Sequence, residues 1–214
     1  MILENFDNFN SYSKKYLESD FNSVYGCPEC GFTGMLHRHG NYLRNLMEIN
    51  ENFNVCINSV GILRVFCPKC GTTHAVIPDF IIPYKQVSFN LIMKIIEMFF
   101  LESYSKLQIE SSLVTVSRQL VKNIIIAFLL TFNYLFMFFK SNAQLLNFDS
   151  MGNVSPKDFV LALNSYLTLG LHFSKDYFNS TNTVFMMSKK PFKSVNDKIT
   201  QINITKSVLI KYTE

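Results

Sequence analysis

Four cysteines in two matching clips carry the clearest chemistry in this sequence. Cys27-Pro28-Glu29-Cys30-Gly31 is answered by Cys67-Pro68-Lys69-Cys70-Gly71, and both read C-P-x-C-G. A C-x-x-C turn can point two thiolates at one ion while its amides hydrogen-bond to the sulfurs. Two such turns offer the four soft ligands of a tetrahedral zinc site. Glycine after the second cysteine takes the left-handed conformation that completes the turn. An ion joining turns with 36 residues between them converts binding energy into folding energy. Four thiolates leave no position open for water, so the expected zinc is structural. Two matched clips are more simply read as one metal site than as a redox pair. His37, His39 and His74 lie nearby, where each could replace a ligand, contact phosphate or be an ordinary loop histidine.

A second constellation runs from Ser105 to Ile125, SKLQIESSLVTVSRQLVKNII. Ser105 and Gln108 fit a capping box. A break follows at Val114-Thr115-Val116, and Ser117 opens another helix. A short helix, a break and a second helix is the order of a helix–turn–helix. Ile109, Leu113, Val116, Leu120 and Val121 are positioned to lock the two helices together. Ser117, Arg118, Gln119 and Lys122 then face outward, and these residue types read base edges and grip phosphates. Plain bundle packing produces a similar pattern, and the turn lacks its usual glycine.

The elements around these residues follow from composition and periodicity. Residues 1–24 read as a short helical or irregular lead-in. Residues 25–84 read as a zinc ribbon with an extended exit strand. Six of the eight glycines fall between Gly26 and Gly71, and Tyr42–Arg44, Val55, Ile57, Val60 and Ile62–Phe66 supply short strands. Asn58-Ser59-Val60-Gly61 is the expected turn between two of them. Pro78 and Pro83 bracket Asp79–Ile82 as an extended connector. Residues 88–140 read as the helix–turn–helix with a long third helix. Ser88 caps its first helix, and the third runs from Ser117 towards Phe139. Residues 141–188 form a C-terminal helical region, opened by Ser155-Pro156-Lys157-Asp158, and residues 189–214 a basic tail. The fold class is therefore α+β, a small ribbon of antiparallel strands followed by a mainly helical domain.

Bulk properties narrow the function. The 214 residues carry a net charge of +4. Residues 1–100 hold 8 Lys and Arg against 9 Asp and Glu, whereas residues 101–214 hold 12 against 7. A basic half suits a polyanion, and it is equally what a plain solvated lysine face would give. The N-terminus has no secretory pattern, and four of five cysteines in metal spacing point to a reducing cytoplasm, with Cys56 as a buried small hydrophobe. The apolar run Ile124–Phe139 is shorter than the roughly 20 residues of a membrane span. It is read as buried helix, with no membrane partner. No Ser/His/Asp set, phosphate loop or paired-carboxylate motif points to an enzyme.

The run from Cys27 through His39-Gly40-x-Tyr42-x-Arg44 and Ile62–Phe66 to Thr73-His74-Ala75, Pro78-Asp79-Phe80-Ile81 and Pro83-Tyr84 resembles an uncharacterised zinc-ribbon and helix–turn–helix family. Its ribbon is similar to the N-terminal DNA-binding part of insertion-sequence transposases. Phe178–Met187 also resembles the small family's C-terminal region. The resemblance implies a ribbon and helices that recognise element ends. It does not imply transposase catalysis. That domain places three metal-binding acids on a mixed sheet, and after residue 140 the only acids are Asp149, Asp158, Asp176, Asp197 and Glu214.

The expected function is a non-catalytic, zinc-dependent DNA-binding protein, transposase-related or a mobile-element accessory or regulator. Ribbon and helices would touch double-stranded DNA together. Arg38, His39, Arg44, Arg64 and Lys85 would supply ribbon-side contacts, and Ser117, Arg118, Gln119 and Lys122 would read the groove. A homodimer and a recombinase or transposase are the further partners this reading allows. The alternatives are a protein–protein adaptor built on a structural zinc ribbon and a truncated transposase remnant.

Overall fold

Burial pattern and strand register come from the same residues. Val60, Ile62, Leu63 and Val65 are buried while Asn58 and Arg64 face solvent, and Val55–Phe66 forms one strand, β3. The computed structural model of the chain describes residues 1–6, 9–17, 26–50, 52–142, 154–181 and 184–186. The basic tail, Asp149, Asp197, Glu214 and Met187 lie outside the described residues, as do parts of the lead-in and of the C-terminal region. β3 belongs to a four-stranded sheet with β1 (Ile2–Glu4), β2 (His37–Ile49) and β4 (Thr73–Pro78), ordered β1-β4-β3-β2. β1 pairs with β4 in parallel, Ile2 opposite Val76, and β3 pairs with β4 antiparallel, Leu63 opposite Val76.

Two local expectations are corrected here. Asn58–Gly61 is not a turn but lies inside β3. The Asn58 amide donates to Glu48 Oε2 at 2.7 Å, and Val60 and Gly61 are buried. Cross-strand pairing and burial thus override a local turn preference. Residues 79–82 are not one extended run either, because Asp79 and Phe80 turn while Ile81 bridges to Ser88. Ile81 N donates to Pro78 O at 3.0 Å and Lys85 N to Ile82 O at 3.1 Å, so the two prolines open consecutive turns.

The N-terminal residues are part of the core. α1 (Phe9–Tyr16) lays Tyr12 and Tyr16, both fully buried, against Leu36, Leu63, Val65, Val76 and the cysteines Cys27 and Cys67. The Tyr12 hydroxyl accepts from Leu63 N at 2.8 Å and donates to Val76 O at 2.9 Å, joining two register partners. Phe6 meets both tyrosine rings edge-on at 5.2–5.3 Å, the geometry that aromatic quadrupoles favour.

The described residues divide into two compact units, residues 1–52 with 56–91, and residues 53–55 with 92–214. Ser88 Oγ accepts from Leu91 N at 3.2 Å, capping α2 (Phe89–Phe100), which runs from the first unit into the second. The second unit then holds α3 (Lys106–Ser112), α4 (Arg118–Leu130), α5 (Phe132–Ser141), α6 (Pro156–Thr168) and α7 (Phe173–Thr181). The abundance of phenylalanine finds its use here. Phe138 lies 5.2–5.8 Å from the rings of Tyr166, Phe173 and Tyr177, and Phe132 lies 4.8 Å from Phe159. Ser155 and Asp158 close a capping box on α6, with Pro156 in its first turn.

The long third helix expected through Phe139 is two helices, α4 and α5, bent by 52°. Buried Thr131 donates its hydroxyl to Phe128 O at 2.7 Å, and its amide also turns to Phe128 O at 3.0 Å. A threonine that bonds back to its own preceding turn bends a helix. No single helix among the described residues is long and apolar enough to cross a membrane. Cys56, expected to be buried, is half-exposed on β3.

Candidate metal centre and a basic groove

Each cysteine clip is a tight turn with the same hydrogen bonds. In the first, Gly31 N donates to Cys27 O at 2.9 Å and Cys27 N to Phe32 O at 2.7 Å. In the second, Gly71 N donates to Cys67 O at 3.0 Å and Cys67 N to Thr72 O at 2.9 Å. Gly31 and Gly71 have φ of 67° and 74°. A Cβ at either would meet nothing within 4 Å. Their requirement is therefore conformational, the left-handed region that glycine enters without cost.

The two turns face each other and bring four sulfurs into one cluster. Cys27 Sγ lies 3.7 Å from Cys70 Sγ, Cys30 Sγ lies 3.8 Å from Cys67 Sγ, and all four lie within 4.8 Å of one another. Cys27 and Cys67 are buried, Cys30 is half-buried and Cys70 exposed. This cluster could hold a metal ion. Three of the thiols are held unequally by their surroundings. Burial works against the Cys27 thiolate, but the Cys30 and Glu29 amides and the His74 ring outweigh it and bring its pKa from 9.0 to about 5. The Phe32 amide favours the Cys30 thiolate, yet burial and three neighbouring sulfurs push that thiol up to about 11. The Thr72 hydroxyl and amide lower Cys70. Such partners steady a thiolate set and orient it.

The three histidines separate clearly. His74 is buried, with Nε2 3.3 Å from Cys27 Sγ and 3.1 Å from Thr72 Oγ1. His39 is exposed and stacks on Phe66 at 6.0 Å, and His37 is exposed. The ribbon-side cations hold their own fold. Arg38 donates to Tyr16 O and Leu17 O, both at 3.2 Å, at the C-terminus of α1, where a cation suits the helix dipole. Arg44 donates to Ile82 O at 3.0 Å and to Lys85 O. Arg64 donates to Thr73 Oγ1 at 2.7 Å and remains exposed. Lys85 is half-buried.

In the second unit α3 and α4 pack through buried Ile109, Leu113, Val116 and Val121, while Leu120 is half-buried. Both expected caps form. Ser105 and Gln108 close a capping box, and Ser117 Oγ accepts from Leu120 N at 3.2 Å. Thr115, between the two helices, takes φ 85°. The packing opens a groove of ≈ 430 Å³ lined by Lys106, Glu110, Ser117, Arg118, Gln119 and Lys122. All four residues expected on this face line it. Gln119 also donates to Asn123 Oδ1 at 2.9 Å.

Glu110 is the residue that sequence reasoning missed. Its carboxylate accepts from Arg118 N at 2.9 Å and from Arg118 Nε at 3.1 Å. The Arg118 amide, then its side chain, hold this carboxyl below its ordinary 4.5. The signal was present in the sequence, a lone acid one helix before the cationic cap, but only the turn geometry brings the two together. By sequence, residues 27–118 are similar to a family described as a domain of unknown function (DUF6431), a span from the first cysteine of the cluster to the first residue of α4, and no curated protein or solved structure matches the chain.

Proposed function

We propose that this chain is a non-catalytic DNA-binding protein, with a structural zinc ion on Cys27, Cys30, Cys67 and Cys70 and a helix–turn–helix formed by α3 and α4. The observation that carries the DNA reading is the groove. Lys106, Ser117, Arg118, Gln119 and Lys122 converge on one open face that holds a single acid, Glu110. Such a face neutralises phosphates and presents Arg and Gln to base edges.

Zinc is the ion that best fits the thiolate cluster. Zinc–sulfur bonds of about 2.3 Å in a tetrahedron set sulfurs about 3.8 Å apart, and the two close sulfur pairs stand at 3.7 and 3.8 Å. Zinc would cross-link the turn between β3 and β4 to the segment before β2 and complete a sheet unit whose core already includes two of the cysteines. The ribbon would then supply contacts from Arg64 and His39, which the fold leaves exposed.

The test is a gel shift against random-sequence duplex DNA. Replacing Arg118 and Lys122 together with Ala is expected to abolish the shift while circular dichroism stays unchanged, since both side chains face the groove. A variant that binds as tightly as the parent overturns the assignment.

A further inference from the structure

A second concave site lies on the first unit, on the far side of His74 from the cysteines. It encloses ≈ 430 Å³ and is lined by Tyr42, Arg44, Thr73, His74, Tyr84 and Gln86, among others. That volume falls within the roughly 300–1,000 Å³ of small-molecule pockets. Four separate stretches of sequence contribute to it, the N-terminal Met1, β2, β4 and the turn that follows Pro83.

Two features of the lining point to a ligand. Arg44 is half-buried, yet its hydrogen-bond partners are carbonyl oxygens, and no ion pair to it forms among the described residues. A cation withdrawn from water without a counter-charge is costly, and an anion entering the cavity would relieve that cost. Tyr84 is the second feature. It holds φ 64° while the residue is 66% exposed. A bulky residue is strained in that conformation, where Gly or Asn would relax, and an exposed ring contributes little to the core. A strained aromatic at a cavity rim is placed to meet a ligand there. Tyr42, also exposed, adds a second ring, and Gln86 brings an amide that can both donate and accept.

We propose that this cavity binds one unpaired nucleotide, its phosphate held by the Arg44 guanidinium and its base stacked on Tyr84. Aromatic stacking with a nearby cation is how single strands are held without sequence preference. The proposal rests on the DNA-binding reading and extends it from duplex to strand ends. The same nucleotide chemistry could arrive as a free mononucleotide or as the frayed end of a strand.

The experiment compares a blunt duplex with the same duplex carrying a short single-stranded tail, by fluorescence anisotropy on the full chain. The tail is expected to tighten binding about tenfold. Tyr84→Gly removes the ring while relaxing the backbone, so thermal stability should not fall and the tail's advantage should vanish. Arg44→Lys is expected to weaken the tail's effect in the same direction. An equal tail effect in Tyr84→Gly and the parent overturns the proposal, as does equal binding of blunt and tailed duplexes by the parent. Displacement of the tail by a free deoxynucleoside monophosphate would assign the site to mononucleotides, and resistance to it would assign the site to strand ends. The groove variant separates the two readings. If Arg118→Ala with Lys122→Ala leaves duplex binding intact, the groove assignment fails while a tail effect lost in Tyr84→Gly still stands.

Discussion

Removing the Lys122 ammonium should change how DNA binding responds to salt by a calculable amount. Each phosphate neutralised on B-DNA contributes about −0.9 to the slope of log affinity against log salt. The groove presents three cations, Lys106, Arg118 and Lys122. If all three engage phosphates, the groove alone gives a slope of about −2.7, so affinity falls about 40-fold between 50 and 200 mM salt. Lys122→Ala should reduce that slope to about −1.8, and the fall to about 12-fold. Contacts from the ribbon would add equally to both proteins, so the difference of about 0.9 belongs to Lys122 alone. Alanine is the best helix former, so α4 should be intact. The assay is fluorescence anisotropy on a labelled duplex at four or more salt concentrations. Parallel lines for parent and variant would refute the reasoning, because they would mean that Lys122 neutralises no phosphate.

Further outcomes follow from other contacts. Tyr12→Phe keeps the ring but strips the buried Leu63 amide and Val76 carbonyl of their shared partner. At about 1–3 kcal/mol per orphaned buried group, chemical denaturation should show a loss of about 2–6 kcal/mol, and an unchanged midpoint would show that the hydroxyl bridge does not form. Glu110→Gln should strengthen DNA binding and steepen its salt slope, because it frees Arg118 from the one acid of the groove. The same carboxyl sets a pH effect. Its value is depressed below 4.5 in the folded chain, so its contact with Arg118 is fully present above 4.5 and is lost as pH falls through the lowered value. Titration of the Glu110 carboxyl carbon by NMR should show that midpoint below 4.5, and an ordinary midpoint would mean that the pair is open in solution.

What the sequence made legible was local. Ser88, Ser105, Ser117 and Ser155 all cap helices because a cap involves only a side chain and an amide three residues on. The two C-P-x-C-G turns were readable for the same reason. What stayed hidden depends on partners distant in sequence. Asn58 is held in β3 by Glu48, so a segment with turn character forms strand. Tyr12 and Tyr16 look unremarkable in an Asn- and Ser-rich stretch, yet β3 and β4 give them a core to fill. The break at Thr131 was obscured because apolar residues continue on both sides, and burial rather than periodicity decides where that threonine bonds. Arg38 and Arg44 were assigned to phosphate by residue type alone, and the carbonyl oxygens that each also bonds were not legible because they lie 21 to 41 residues away in sequence. Arg118, Gln119 and Lys122 were placed together correctly because helical spacing is enough to put them on one face of α4.

Metal content tests the foundation most directly. Protein purified under reducing conditions should carry one zinc per chain, and cobalt substituted at that site should give the absorption of tetrahedral thiolate coordination. Cys67→Ser should lose the metal, and chelation should unfold the sheet unit while the helices persist by circular dichroism. A metal-free protein that keeps its structure in strong chelator, with all four thiols reacting freely, would contradict the account.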